Sequence, residues 1–347
     1  MSEPIMALAG ANAAGCDAET LKQFADAGFN WIVFSDVLLD DEWRDCIRRC
    51  HDAGIRVIVR WPEHGSLGHT TREFAFQTYD GFTNDLPDGR VCGPSHWHPQ
   101  VVSRAAPSAK TLKDMGVDGL LCSLLTCDRP YPTDWYGKTA ERARTVMFWS
   151  FDEHAQKDWK SQYEAQWMPH RADKSALQSE FLAWYQAAWL RRLHDYTAVA
   201  HEVGFEHVWT WFVPLLGWTA ECIANGTARS IAAFHLCWYE PCLAAGLNPV
   251  VVTAVLLNMW PQWVEEAVSG MYQAYRELGW KGIVGPGCSE GREVAIERLR
   301  DRSPVIAALG GSGVYAGMTF LKGQDFTEAG LTARASFEEG SDSTVKG

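Results

Sequence analysis

No stretch of the chain approaches the roughly 18 consecutive apolar residues of a membrane span. Its opening, MSEPIMALAG, has neither a basic n-region nor an apolar run of signal-peptide length. Both absences lead us to expect a cytoplasmic protein that makes no membrane contact. Basic residues are in the minority: 31 Lys and Arg stand against 43 Asp and Glu, for a net charge of −12. Such a balance repels nucleic acid and anionic lipid at long range, which excludes both as partners and favours a neutral ligand. Cysteine is not scarce, with ten residues, but a disulfide framework is missing. The cysteines are scattered through a large chain, and Cys122 and Cys237 fall inside apolar runs, so they read as buried thiols in a reducing compartment. Cys46 and Cys50 stand i, i+4 on a predicted helix, and no second pair at zinc-ligand spacing accompanies them. Spacing alone therefore leads us to expect no metal and no cofactor.

What is abundant is apolar and aromatic. A hydrophobic fraction of 47% suffices for a full core, and the 17 Trp exceed what a core of this size ordinarily uses. Surplus indole rings are suited to stacking on sugar faces. Along the chain, short apolar runs alternate with helical segments that stop at glycine. Ile5 to Leu8 reads as a strand, then helix Asp17 to Ala27 with Gly28 as its stop; strand Asn30 to Phe34, then helix Asp41 to Ala53 with Gly54; strand Arg56 to Arg60. A further helix stops at Gly116 and feeds strand Val117 to Leu125. The remaining predicted strands are His207 to Val213, Ile231 to Tyr239, Val250 to Leu257 and Gly282 to Gly285, with helix Gln262 to Leu278 between the last two. Eight strands in this rhythm predict an α/β fold, a closed (β/α)8 TIM barrel over residues 1–337 as one domain. Residues 65–95 read as a rim loop after strand three. Residues 129–176 read as an insertion after strand four, and 338–347 as a disordered tail. The apolar, glycine-rich stretch Val305 to Leu321 has no assigned place, and a homo-oligomer is left open.

In a parallel barrel the chemistry gathers at the C-terminal strand ends. Four acids stand just past such ends: Asp36, Glu63, Asp128 and Glu240. Glu240, in Cys237-Trp238-Tyr239-Glu240-Pro241, lies beside two aromatics that could raise its pKa and stack on a sugar, and is the first candidate for general acid/base. Asp128, with Arg129 beside it, and Glu63 are the candidate partners, facing Glu240 across the cleft. Asp36, His96, His98 and Tyr239 are candidate substrate contacts. Trp61, Trp97, Trp211 and Trp238 are candidate sugar platforms, of which at least two are expected to line the pocket. Asp152 and Glu153 resemble a carboxylate pair, but Ser150-Phe151-Asp152-Glu153 is a helix-capping pattern, which accounts for both.

The run Asp88-Gly89-Arg90, Cys92-Gly93-Pro94-Ser95-His96, a helix, then Val117-Asp118-Gly119-Leu120-Leu121 resembles the third-to-fourth-strand region of barrel glycoside hydrolases. The likeness is to glycosyl hydrolases related to β-galactosidases and α-fucosidases, and the passage Gln262 to Gly285 is similar to their seventh-to-eighth-strand region. This resemblance implies cleavage of a carbohydrate or glycoside by two carboxylates. The chain departs from the family pattern where it matters most. Ser123 occupies the fucosidase-like nucleophile position, and Thr126-Cys127-Asp128 and Asn258-Met259-Trp260 stand where galactosidase-like members carry glutamates. The substitution at Ser123 favours the wider carboxylate spacing and inversion. Two alternatives stay open: a metal-dependent barrel hydrolase using His96 and His98, with Glu63 and His64 as further ligands, and a barrel that binds carbohydrate without cleaving it.

Overall fold

The computed structural model describes residues 3–10, 13–35, 37–62, 71–122 in part, 152–163, 176–212, 250–255, 282–286, 296–317 in part and 327–343. The chain runs β1 (Ile5–Gly10), α1 (Ala18–Asp26), β2 (Trp31–Phe34), α2 (Asp41–Asp52), β3 (Arg56–Trp61), α3 (Val101–Asp114) and β4 (Gly119–Cys122). It continues through α4 (Glu153–Tyr163), α5 (Ala176–Glu202), β5 (His207–Phe212), β6 (Val250–Val255), β7 (Gly282–Pro286), β8 (Gly313–Gly317) and α6 (Thr327–Ser343).

Four of these helices stop by one device. Gly28, Gly54, Gly116 and Gly204 follow α1, α2, α3 and α5 with φ of 88°, 78°, 95° and 97°, a left-handed turn that a side chain would resist. At Gly28 the glycine N–H donates to the Ala25 carbonyl and the Phe29 N–H reaches back to the Phe24 carbonyl; the Gly54, Gly116 and Gly204 turns repeat this pattern. The residue after each glycine, Phe29, Ile55, Val117 or Phe205, is buried, so the turn satisfies two orphan carbonyls and seats an apolar anchor at once. The next strand starts from that anchor. At the opposite helix ends Asp17, Asp40 and Asp152 accept the backbone N–H of Thr20, Trp43 and Ala155.

The strands pair in parallel and in chain order, β1 to β8, and β8 pairs back onto β1 to close an eight-stranded barrel. Strand alternation divides the core in two. Met6, Leu8, Ile32, Phe34, Val57, Val59, Trp61, Leu120 and Cys122 face the helices in one large cluster. Ala7, Trp31, Val33, Ile58, Leu121, Trp209, Ile283 and Tyr315 fill the interior in a second. Both faces of each strand are apolar because both are covered.

Three expectations are corrected. The sixth barrel strand is Val250–Val255, which pairs directly with β5, Trp209 opposite Val250 and Phe212 opposite Thr253, where Ile231 to Tyr239 had been expected; that run lies outside the described residues. The eighth strand is instead Gly313–Gly317, within the stretch that had no assigned place. The supposed tail from Glu338 continues α6 to Ser343, where Arg334 bonds Glu338 one turn on at 3.0 Å. The predicted helix Gln262 to Leu278 lies outside the described residues.

Candidate active site

One end of the barrel interior is closed. Trp31 and His207 meet edge to face at 4.9 Å, and the Arg56 guanidinium lies 5.0 Å from the Trp31 ring. Beside them Asp118 accepts the Val57 N–H at 2.7 Å and pairs with His51 at 2.9 Å. These groups sit at the N-terminal strand ends, where a barrel is stabilised and carries no chemistry. Toward the other end, Arg60 shares the inward face of Ile58 two residues before it and is buried, at 6% exposure. A guanidinium thus stands in the top interior layer, next to the mouth. Sequence reading passed over Arg60, although Arg56, Ile58 and Arg60 fall on one face of the predicted strand RVIVR.

A polar shelf lies against the β3 and β4 side of the barrel, built from the segment before α3 and from α4 and α5. The Ser95 hydroxyl donates to Asp152 at 2.8 Å, tying the segment to the start of α4. Burial pushes the Asp152 carboxyl up, and the Ala155 N–H and the Ser95 hydroxyl partly offset this. Asp152 is therefore a helix cap, as the capping pattern implied. Arg192 of α5 donates from Nε and Nη2 to the His96 carbonyl at 3.0 and 2.8 Å, and from Nη2 to the His98 carbonyl at 3.1 Å. Its Nη1 bonds Asp195 at 3.1 Å. One guanidinium thus fixes the backbone on both sides of Trp97. Arg192→Ala is expected to lower stability by about 2–4 kcal/mol, because it removes three charge-assisted hydrogen bonds to the buried segment, two to the His96 carbonyl and one to the His98 carbonyl, which also accepts the Val101 N–H at 3.4 Å. Arg192→Lys should recover only part, since an ammonium lacks the planar fork. Urea midpoints at unchanged m would check both.

The predicted site residues are placed unequally. Trp61 is fully buried on the outer face of β3, where its indole N–H donates to Ser108 at 3.0 Å and its ring meets Tyr196 edge to face at 5.2 Å. It offers no face to a sugar; it locks β3 to α3 and α5. Trp97 stacks on Trp184 of α5 at 4.2 Å and is likewise spent on packing. His96 and His98 are buried in the shelf, and His98 Nδ1 accepts the Gln100 N–H at 3.2 Å. Neither joins a group of three candidate metal ligands among the described residues. Trp211 belongs to β5, but its side chain is outside the described residues, as are Asp36, Glu63, His64, Ser123, Asp128, Trp238, Tyr239 and Glu240.

His98 and His207 share an electrostatic feature. Burial lowers the pKa of both below the ordinary value, helped by nearby His154 at His98 and by Arg56 at His207. The folded state holds them neutral, whereas the unfolded chain takes up protons as pH falls through about 6.5. Stability should therefore drop between about pH 7 and pH 5, and His98→Gln and His207→Gln should each flatten that slope. Thermal unfolding across this range measures it.

A second group was invisible in the spacing. Cys46 and Cys50 of α2 are joined by Cys16 from the turn after β1, and the three sulfurs lie within 4.8 Å of one another, all fully buried. Hydrogen bonds from Cys16 and then Cys50, with Arg49 nearby, draw the Cys46 thiol down to about 4. The Cys46 hydrogen bond pushes Cys16 up to about 12, and Cys50 is raised by its bonds to Cys16 and Cys46.

No family model matches the chain, and no curated protein matches it. Among solved structures it is similar to the BexX/CysO complex of Amycolatopsis orientalis, at 10% identity and a TM-score of 0.42, covering 100% of this chain and 97% of that one. It is also similar to (S)-3-O-geranylgeranylglyceryl phosphate synthase from Thermoplasma acidophilum, at 12% identity and 0.42, with 97% and 94% covered. A third is an HpcH/HpaI aldolase from Desulfitobacterium hafniense, at 12% and 0.38, with 99% and 93% covered. The barrel itself is read from this chain's own strand pairing.

Proposed function

We propose that the chain is a carbohydrate-active enzyme, a glycoside hydrolase with Glu63 and Asp128 as its carboxylates. One observation carries this reading: β3 and β4 are neighbours in the barrel, with Trp61 opposite Cys122 at their C-terminal ends. Glu63 follows Trp61 by two residues, and two residues of chain span at most about 7 Å, a reach that includes the mouth. Asp128 follows Cys122 by six residues, a reach of up to about 20 Å, enough to come back over the same opening. Two acids over adjoining strands satisfy the requirement for one carboxyl on each side of a scissile bond. Arg60 in the layer beneath would hold one of them ionised. The acidic net charge and the tryptophan surplus favour a neutral, ring-shaped ligand. Glu240 lies outside the described residues, and the proposal rests on the two acids that follow the neighbouring strands β3 and β4.

A panel of aryl glycosides and oligosaccharides, read for released phenol and reducing sugar, tests the proposal. Turnover of at least one member that disappears in the Glu63→Gln, Asp128→Asn double variant is the expected result. Parent protein that is inert across the panel, or a double variant as active as the parent, would overturn it.

A further inference from the structure

We propose that Cys16, Cys46 and Cys50 form a binding site for a thiophilic d10 metal ion, held by three thiolates between the turn after β1 and helix α2. The sulfurs lie within 4.8 Å of one another. Three thiolates at about 2.3 Å from a shared ion stand about 3.8–4.0 Å apart, so binding asks for a contraction of no more than about 1 Å. Two of the ligands come from one helix face, because residues i and i+4 on α2 are neighbours one turn apart. The third is brought to them by the short 3-10 turn Ala13–Gly15, whose Ala13 carbonyl accepts the Cys16 N–H at 3.1 Å.

Arg49, between the two helical cysteines, clamps that turn. Its Nε donates to the Cys16 carbonyl at 2.9 Å and its Nη2 to the Ala13 carbonyl at 3.4 Å. The guanidinium therefore fixes the position of Cys16 relative to α2 and also sets a positive charge beside the thiolates. That charge offsets the excess negative charge of three thiolates around a monovalent or divalent ion, which a buried site could not otherwise carry cheaply. A site held by a helix and a clamped turn is preorganised for its ion.

Soft thiolate donors select Cu+ and Zn2+ over hard ions. Among the described residues no fourth ligand joins the trio, and three-coordination suits Cu+, whereas Zn2+ takes four ligands. The thiols release their protons to solvent on binding, so affinity rises with pH. Ordinary core cysteines pack as small apolar groups and need not converge. Cys122, fully buried on the outer face of β4, is such a residue and serves as the control.

The test uses the full chain, purified without an affinity tag and kept reduced and anaerobic. It is titrated with Cu+ as its acetonitrile complex and, separately, with Zn2+, each against a competing chelator. One ion per chain is expected, with Cu+ held through a shell of three sulfurs by X-ray absorption and with the melting temperature raised on loading. Cys16→Ser, Cys46→Ser and Cys50→Ser should each weaken binding by more than the roughly 10–100-fold typical of losing an outer-shell partner, while Cys122→Ser leaves it unchanged. The absorption shell is measured on the parent, so the test stands even where a serine variant fails to fold. Sub-stoichiometric uptake of both ions, a shell with fewer than three sulfurs, or undiminished affinity after removal of the trio would overturn the proposal and leave three core thiols.

Discussion

Gly313→Val is expected to leave little cooperatively folded barrel. Gly313 opens β8 directly opposite Ile5 of β1, at the seam where the last strand meets the first, and the Ile5 N–H donates to the Ser312 carbonyl beside it at 3.0 Å. A Cβ on Gly313 would overlap the Ile5 carbonyl oxygen and stand 2.6 Å from Ile5 C and 2.9 Å from Ile5 Cα. These are backbone atoms of a paired strand, so they cannot swing aside as a side-chain tip can. Relief requires parting β8 from β1, which opens the barrel and exposes two edges at once. Overpacking a core typically costs about 1–3 kcal/mol, and loss of a ladder adds to that, against a total stability of about 5–15 kcal/mol. Gly54 is the informative contrast. It has φ of 78° and nothing within 4 Å of a built Cβ, so Gly54→Ala should cost only the left-handed strain of about 1–2 kcal/mol. Urea unfolding followed by circular dichroism separates the two; equal losses would show that closure of the seam is not what Gly313 provides.

The same glycine explains where sequence reading stopped. Helix ends were legible because a left-handed turn demands glycine at a fixed offset, and Gly28, Gly54 and Gly116 all sit where the pattern put them. Strands β1 to β5 were legible as apolar runs between those stops. The closing strand was not: GVYAG is short and framed by glycine, since the seam selects for absence of a side chain and not for bulk. The longer run IAAFHLCWY carried a stronger strand signal and lies outside the described residues, while β5 pairs directly with β6. Apolar length is a signal of burial, and a strand as short as GVYAG gives little of it. For the candidate site the difficulty was direction. In RVIVRW both faces are covered, so alternation does not mark the interior by polarity except at the arginines, and Trp61 reads as a rim residue when it belongs to the outer layer. Cys16 lies 30 residues from Cys46, and only the packing of the β1–α1 turn on α2 brings them together.

Glu63→Gln is expected to lower turnover of a glycoside by about 10²–10⁴-fold while leaving the barrel intact, provided the hydrolase reading holds. The amide preserves shape and hydrogen-bonding reach but can neither deliver a proton nor carry the negative charge of a nucleophile or base. Glu63 lies past the end of β3, so the ladder to β2 and β4 does not depend on it. A purely structural role would raise KM or lower the melting temperature; a catalytic one lowers kcat with both nearly unchanged. Leaving-group dependence then assigns the role. If Glu63 is the general acid, the variant should lose most on poor leaving groups and least on acidic phenols, which depart without protonation, and the alkaline limb of the pH profile should vanish. If Asp128 is the acid, Asp128→Asn should show that pattern and Glu63→Gln should fail evenly across leaving groups. Arg60→Met is the third arm: removing the cation under the mouth should raise the pKa of whichever carboxylate works ionised and move the acid limb of the profile upward. Glu240→Gln is the comparison arm. Loss of activity in that variant alone, with Glu63→Gln and Asp128→Asn both active, would return the acid/base role to Glu240 and remove the adjacency of β3 and β4 as the basis of the site.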